Sequence, residues 1–177
     1  AATCGGGGGQ TLTTTPGTPL ASAMVASDTS LSSIAGTSDG MFSAFFGTTL
    51  NQFKDIACTV TGGTAAARAT NLLSLYSGSQ RCRDFWIDGD IQFSGNGTLG
   101  SATDPVTMVS SSDMTFNGNY DIYGVVYSDS TSVNALGTGT SNVYGAMITR
   151  GDYRNNGNGT IAYDPSVLGQ IQDRGRM

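Results

Sequence analysis

The stretch FNGNYDIYGVVYS, residues 116–128, joins an Asn-Gly-Asn corner to an alternating segment and an Ile-Tyr-Gly step into an apolar strand. Its parts recur along the chain. Aligning SGNG at 94–97, NGN at 117–119, LGTG at 136–139 and NGNG at 156–159 makes Gly95, Gly118, Gly137 and Gly157 equivalent, spaced 23, 19 and 20 residues. A second series agrees: IYG at 122–124 and VYG at 143–145 lie 21 apart, followed by VVY at 125–127 and AMI at 146–148. One such unit has too few strands to bury its apolar face and is stable only when stacked on its neighbours. The expected fold is therefore mainly β, a short β-solenoid of about four coils of roughly 20 residues. Its rungs would lie about 4.8 Å apart. The interior would hold Ile87, Ile91, Phe93, Val106, Met108, Met114, Phe116, Ile122, Val126, Met147 and Ile161. Asn and Gly would take the corners, where left-handed backbone and local hydrogen bonds suit them. An antiparallel β-sandwich is the alternative, since it too uses short strands separated by frequent turns.

Upstream, Phe42, Phe45, Phe46, Leu50 and Phe53 recur at helical offsets of 3, 4, 8 and 11. They form one apolar helix face. Ser38 or Asp39 would cap its start, and Gly47 would divide it in two, with Thr48 or Thr49 restarting the second piece. A further helix over 65–76 would be capped by Thr64, turn Leu72, Leu73 and Tyr76 inward, and end at a left-handed Gly78. These segments predict a helical cap over about 38–78, with the aromatic helices at 39–57 covering the first coil. The β repeats would follow over about 83–165, all within one domain, 21–177. Residues 20–34 carry scattered apolar positions and read equally as a strand pair or as irregular packing. Residues 1–20, with Gly5–Gly9 and TLTTTPGTP, read as a flexible linker. The glycine run lacks the Gly-Lys-Ser/Thr ending of a phosphate-binding loop.

Glycine fills 26 of 177 positions and charged residues only 12%, against typical shares of about 7% and 25%. That composition disfavours helical bundles, while 38% hydrophobic residues, including seven Phe and seven Tyr, suffice for a core. The 8 basic and 13 acidic residues give a net charge of −5, every acid is Asp, and there is no His. The commonest general base and metal ligand is thus missing, and a broad basic surface for nucleic acid is disfavoured. No apolar run approaches the ~20 residues that span a bilayer, and no cofactor is expected. Cys4, Cys58 and Cys82 lack CxxC spacing, so a disulfide is the better reading than a zinc site. Pairing Cys58 with Cys82 closes a 24-residue separation, worth roughly 3 kcal/mol, in a chain that looks exported. Cys4 is then left over.

Candidate chemistry is sparse. Gly36-Thr-Ser-Asp-Gly40 matches the GxSxG pattern, but no base accompanies Ser38. Asp88 and Asp90, two apart in WIDGD, would share one face of a strand as paired glycosidase acids do, though Asp beside Gly also makes turns. Asn117, Asn119 and Asp121 alternate as calcium ligands would, without a loop motif that binds it. Arg150, Arg154, Arg174 and Arg176 make the C-terminal part locally basic, with Tyr144, Tyr153 and Tyr163 interleaved as a DNA-stacking platform would need. The sequons at Asn96 and Asn158 fall on corners.

The order of motifs is similar to the C-terminal ectodomain of PilX-like pilus-assembly proteins, minor-pilin-type components of type IV pili. The resembling pieces are SDGMFSAFFG at 38–47, NQFK at 51–54, the bracketing cysteines, FWIDGDIQF at 85–93 and GTLGSATDPVTMV at 97–109. They continue through FNGNYDIYGVVYS at 116–128 and GAMITRGDYRNNGNGTIAYDP at 145–165 to SVL at 166–168. The resemblance spans about 38–168, while residues 1–37 match no part of it. It implies an extracellular, bacterial surface protein, exported through the inner membrane, without a catalytic site. Its partners would be other pilins, pilus-tip proteins or a surface ligand. Contact with the membrane would run through an apolar N-terminal helix that residues 1–177 do not contain. A DNA receptor for uptake, using the arginines, and a secreted polysaccharide-active enzyme, using Asp88 and Asp90, are the rival expectations.

Overall fold

The computed structural model describes residues 33–34, 36–132, 134–135, 137–154 and 156–174. The proposed linker, the mixed segment before residue 33, Cys4 and Arg176 lie outside the described residues. In chain order the elements are α1 (Ser38–Phe46), α2 (Leu50–Ile56), β1 (Cys58–Val60), α3 (Ala65–Ser77), β2 (Asp84–Ile87), β3 (Ile91–Leu99) and β4 (Val106–Ser110). They continue with β5 (Met114–Ser128), β6 (Asn134–Ala135), β7 (Asn142–Thr149), β8 (Tyr153–Arg154), β9 (Ile161–Tyr163) and α4 (Pro165–Asp173).

Every strand pairing is parallel, and β3 pairs with β5 rather than with its neighbour β4. That pattern belongs to a solenoid and excludes the antiparallel sandwich. One ladder stacks β1, β2, β4 and the second halves of β5 and β7; another stacks β3, the first halves of β5 and β7, and β9. Along the first, Asp84 pairs with Thr107, Val106 with Gly124 and Gly124 with Gly145, steps of 23, 18 and 21 residues. Among the described residues this makes about three turns, with an incomplete further turn ending at β9.

The glycine column differs from the sequence alignment at one rung. Gly95 pairs with Gly118, but the next rung over Gly118 is Gly139, not Gly137, because Asp121 pairs with Asn142 and carries the register 21 residues forward. LGTG resembles the other Asn/Gly segments locally, yet the hydrogen-bond ladder sets the register and displaces the motif by two residues; SGNG and NGN themselves lie within β3 and β5 as paired strand residues rather than at the expected corners.

Inside, the ladders interdigitate. Phe93 stacks on Phe116 at 4.9 Å with the rings 5° from parallel, and Tyr120 meets Phe93 edge-on at 5.3 Å. Nine of the eleven expected interior residues are buried. Met147 is half-buried and Ile161 is exposed, since both sit on the last rungs, where no further described rung covers them. The interior also holds Ser110 and Ser128, satisfied by donating to Gly89 O at 2.8 Å and Ser112 O at 2.9 Å.

The first ladder is apolar on both sides, which decides where the helices go. Trp86, Val109, Val125 and Tyr127 project from its outer face and are covered by Phe42, Phe46, Leu50 and Phe53 of α1 and α2 and by Ile171 of α4. Phe42 stacks on Phe46 at 4.2 Å and meets Tyr127 edge-on at 5.2 Å. Lys54 lies 4.2 Å over Trp86. Each of these rings contributes about 1.5–3 kcal/mol by burial. The helical cap therefore has two parts: α1 and α2 clad the side, and α3 covers β3 and β1 at the N-terminal end, feeding Ala69 and Leu72 into the solenoid core.

The helix ends follow their side chains. Thr37, one residue before the expected Ser38 or Asp39, caps α1 by accepting from Gly40 N at 3.0 Å. Asp39 instead accepts from Leu50 N at 3.1 Å, tying α2 to α1. Gly47, at φ 66°, ends α1, and Thr49 with Gln52 forms a capping box on α2. Thr64 caps α3 as expected, but Gly78 is extended at φ −73°; the left-handed turn falls on Arg81, at φ 47°. Cys58 and Cys82 form a disulfide that joins β1 to the entry of β2. This bond belongs to an oxidising, exported setting, and no helix among the described residues is long and apolar enough to cross a membrane.

Candidate interaction face

The outward positions of the second ladder form a continuous polar strip. Ser94, Asn96 and Thr98 of β3 lie beside Asn117, Asn119 and Asp121 of β5, followed by Asn142 of β7. Strand alternation puts them there: Phe93, Leu99, Phe116, Tyr120 and Ile122 take the inward positions between them. The side chains bond along the stack. Asn119 Nδ2 donates to Asn96 Oδ1 at 2.9 Å and Thr140 N donates to Asn119 Oδ1 at 2.9 Å. Asn142 Nδ2 donates to Asp121 Oδ1 at 2.8 Å and Thr160 N donates to Asn142 Oδ1 at 3.1 Å. Beside them Tyr123 and Tyr144 stack at 4.8 Å. Burial and the nearby Asp121 raise the Tyr144 hydroxyl above the usual tyrosine range. The Asn96, Asn119 and Asn142 amides are held by their neighbours and still have donor or acceptor capacity to spare. The strip can therefore present a preorganised hydrogen-bonding lattice to a ligand.

The residues singled out from sequence are placed as follows. Asn117, Asn119 and Asp121 stand in line along β5 rather than converging, and no group of three or more metal-ligating acids or cysteines occurs among the described residues. Asp88 and Asp90 lie in the corner between β2 and β3, with Gly89 at φ 108°, and so do not share a strand face. Asp90 accepts from Arg68 of α3 at 2.9 Å. Ser38 of the GxSxG match accepts from Arg150 Nη1 at 2.9 Å.

The arginines are dispersed. Arg150 is nearly buried and pairs with Asp129 at 3.1 Å while reaching Ser38, so it fastens α1 to the far edge of the first ladder. Arg154 is exposed on β8, and Arg174, just after α4, faces Asp104 in the loop leading into β4. Arg150 and Arg174 thus mark opposite edges of the first ladder. Tyr153 and Tyr163 are exposed near the last turn.

Two concavities were not legible in the sequence. An open apolar groove of about 510 Å³ lies where α1 and α4 part, lined by Met41, Phe45, Ala146, Ile148, Tyr163 and Leu168. A polar pocket of about 370 Å³ beside the disulfide is walled by Arg81, Arg83, Asp84, Asp104 and Arg174. The Arg-Cys-Arg-Asp run at 81–84 is the only sequence signal of the second. Comparison with family models, curated proteins and solved structures finds no match to this chain.

Proposed function

We propose that this protein is a non-catalytic interaction ectodomain of the minor-pilin type, contributing to type IV pilus assembly and surface adhesion. The observation that carries the reading is the polar strip, an array of Ser, Thr and Asn side chains in which Asn96, Asn119, Asp121 and Asn142 are held by bonds between rungs. A disulfide-bonded solenoid suits an exported, mechanically exposed part. The apolar groove between α1 and α4 suits packing against a neighbouring subunit. The motif order from 38 to 168 supplies the family resemblance. In this reading the strip contacts the surface ligand, and the groove faces other pilins or pilus-tip proteins. The dispersal of the arginines gives a DNA contact no support, and the corner position of Asp88 and Asp90 gives a glycosidase dyad none.

The test is to shear surface fibres from the source bacterium and probe them with antibody against this chain, alongside a strain lacking its gene. Copurification with the fibres and reduced piliation or attachment are expected. Absence from the fibres, with piliation and attachment unchanged, would overturn the proposal.

A further inference from the structure

The pocket beside the disulfide holds three guanidinium groups and two carboxylates, and their bonds are unevenly shared. Arg83 is engaged through two of its nitrogens: Nε donates to Asp104 Oδ2 at 2.7 Å, Nη1 donates to Cys82 O at 2.9 Å, and the group lies 4.6 Å over the Tyr76 ring. Asp104 is thereby largely neutralised, and its other oxygen stands 4.0 Å from Arg174 Nη1. The opposite edge of Arg174, Nε and Nη2, is buried and bonds to nothing. Those two N–H groups point in parallel and form the fork that takes a carboxylate in bidentate fashion. Buried donors without an acceptor are rare in folded proteins, so Arg174 gains by rotating this edge out of the packing toward an acceptor in the adjoining pocket. Arg81, exposed and set at φ 47°, adds a second cation at the rim.

We infer that this pocket binds a carboxylate, with Arg174 turning its free edge into the pocket as the two-pronged donor and Arg81 supplying a second positive charge. Charge selects the class of anion. Three arginines against Asp84 and Asp104 leave one positive charge, which a monocarboxylate cancels and a phosphate dianion reverses. The carboxylate can come from an acidic side chain of another protein or from a small organic acid. The inference does not depend on the pilin reading.

The experiment follows the Arg174 Nε–H resonance of the oxidised, ¹⁵N-labelled 177-residue chain during titration at constant ionic strength. The probes are acetate, inorganic phosphate and the blocked peptide acetyl-Gly-Ser-Asp-Ser-Gly-amide. A saturable shift with acetate or peptide is expected, with phosphate weaker. Tighter binding of the peptide than of acetate identifies a protein source, and equal binding a small acid. The resonance is lost with the residue in Arg174→Gln and Arg174→Lys, so backbone amides around Arg81 and Asp104 report there, and binding should weaken about tenfold or more. Lys keeps the charge but not the fork. Arg154→Gln should bind as the parent does. No saturable shift in the parent chain up to about 100 mM, phosphate binding at least as well as acetate, or unaltered binding in both Arg174 variants would overturn the inference; the titration of the parent chain needs no variant to fold.

Discussion

Gly95 and Gly118 are paired on adjacent rungs, yet alanine should harm them for different reasons and by different amounts. At Gly95, with φ at 92°, a Cβ would meet nothing within 4 Å. Alanine there costs only backbone strain, about 1–2 kcal/mol. At Gly118 no left-handed strain arises, but a Cβ would fall on the Gly95 carbonyl, 2.7 Å from its carbon and closer still to its oxygen. Restoring a normal contact separates β3 from β5 by roughly 1 Å locally, which stretches neighbouring ladder bonds beyond hydrogen-bonding range. About three bonds at ~1 kcal/mol each, plus loosening of the Phe93–Phe116 stack, come to about 4 kcal/mol. That is a large share of a typical folding stability of about 5–15 kcal/mol. The assay is urea unfolding followed by far-UV circular dichroism on the oxidised chain. If Gly118→Ala fell within about 1 kcal/mol of the parent, or Gly95→Ala cost as much as Gly118→Ala, the close-stacked rung geometry would be refuted.

Replacing both Cys58 and Cys82 by Ser opens a 24-residue separation and should cost about 3.5 kcal/mol, seen as a fall of roughly 7–14 °C in Tm by calorimetry. Arg150→Met leaves the largely buried Asp129 without its cation, keeping only the Tyr127 hydroxyl, and should lower stability by about 3 kcal/mol in urea, with little salt dependence. A purely solvent-facing Arg150 would show almost no change. The Tyr127 hydroxyl, donating to Asp129 Oδ1 at 3.2 Å, is pushed far above the usual tyrosine range, first by burial and then by Asp129. The unfolded chain therefore loses this proton near pH 10 while the folded chain keeps it. Stability is full below about pH 10 and falls above it by about 1.4 kcal/mol per unit for this group. Unfolding midpoints measured across that range should show a shallower fall in Tyr127→Phe.

Local chemistry was legible residue by residue. The break at Gly47 and the caps at Thr49 and Thr64 follow from side chains acting within a turn or two of themselves. So does the alternation that buries Phe93, Phe116 and Ile122. The helix start moved to Thr37 because neighbouring hydroxyl and carboxylate residues compete for one capping position, and the arrangement of α2 gave Asp39 another partner. The polar strip was visible as composition but not as a site, because its bonds join residues 18–23 apart on different rungs. The fold also decides where the acid pair and the arginines fall: Asp88 and Asp90 sit in the corner between β2 and β3, and Arg150 and Arg174 lie at opposite edges of the first ladder.

By itself the sequence favoured a stack of short rungs, because a unit of about twenty residues cannot bury its apolar face alone, while the antiparallel sandwich was excluded only by the parallel ladders of the structure. It also determined that helices precede them and that Cys58 and Cys82 are the cysteines placed to staple the two. Only the tertiary structure decided that Gly139 rather than Gly137 sits over Gly118, since register is fixed by a ladder of backbone bonds that no local motif encodes. It likewise decided that α1 and α2 clad the side while α3 closes the end. The residues that make this choice, Trp86, Val109, Val125 and Tyr127, become one apolar surface only when three rungs, β2, β4 and β5, lie side by side.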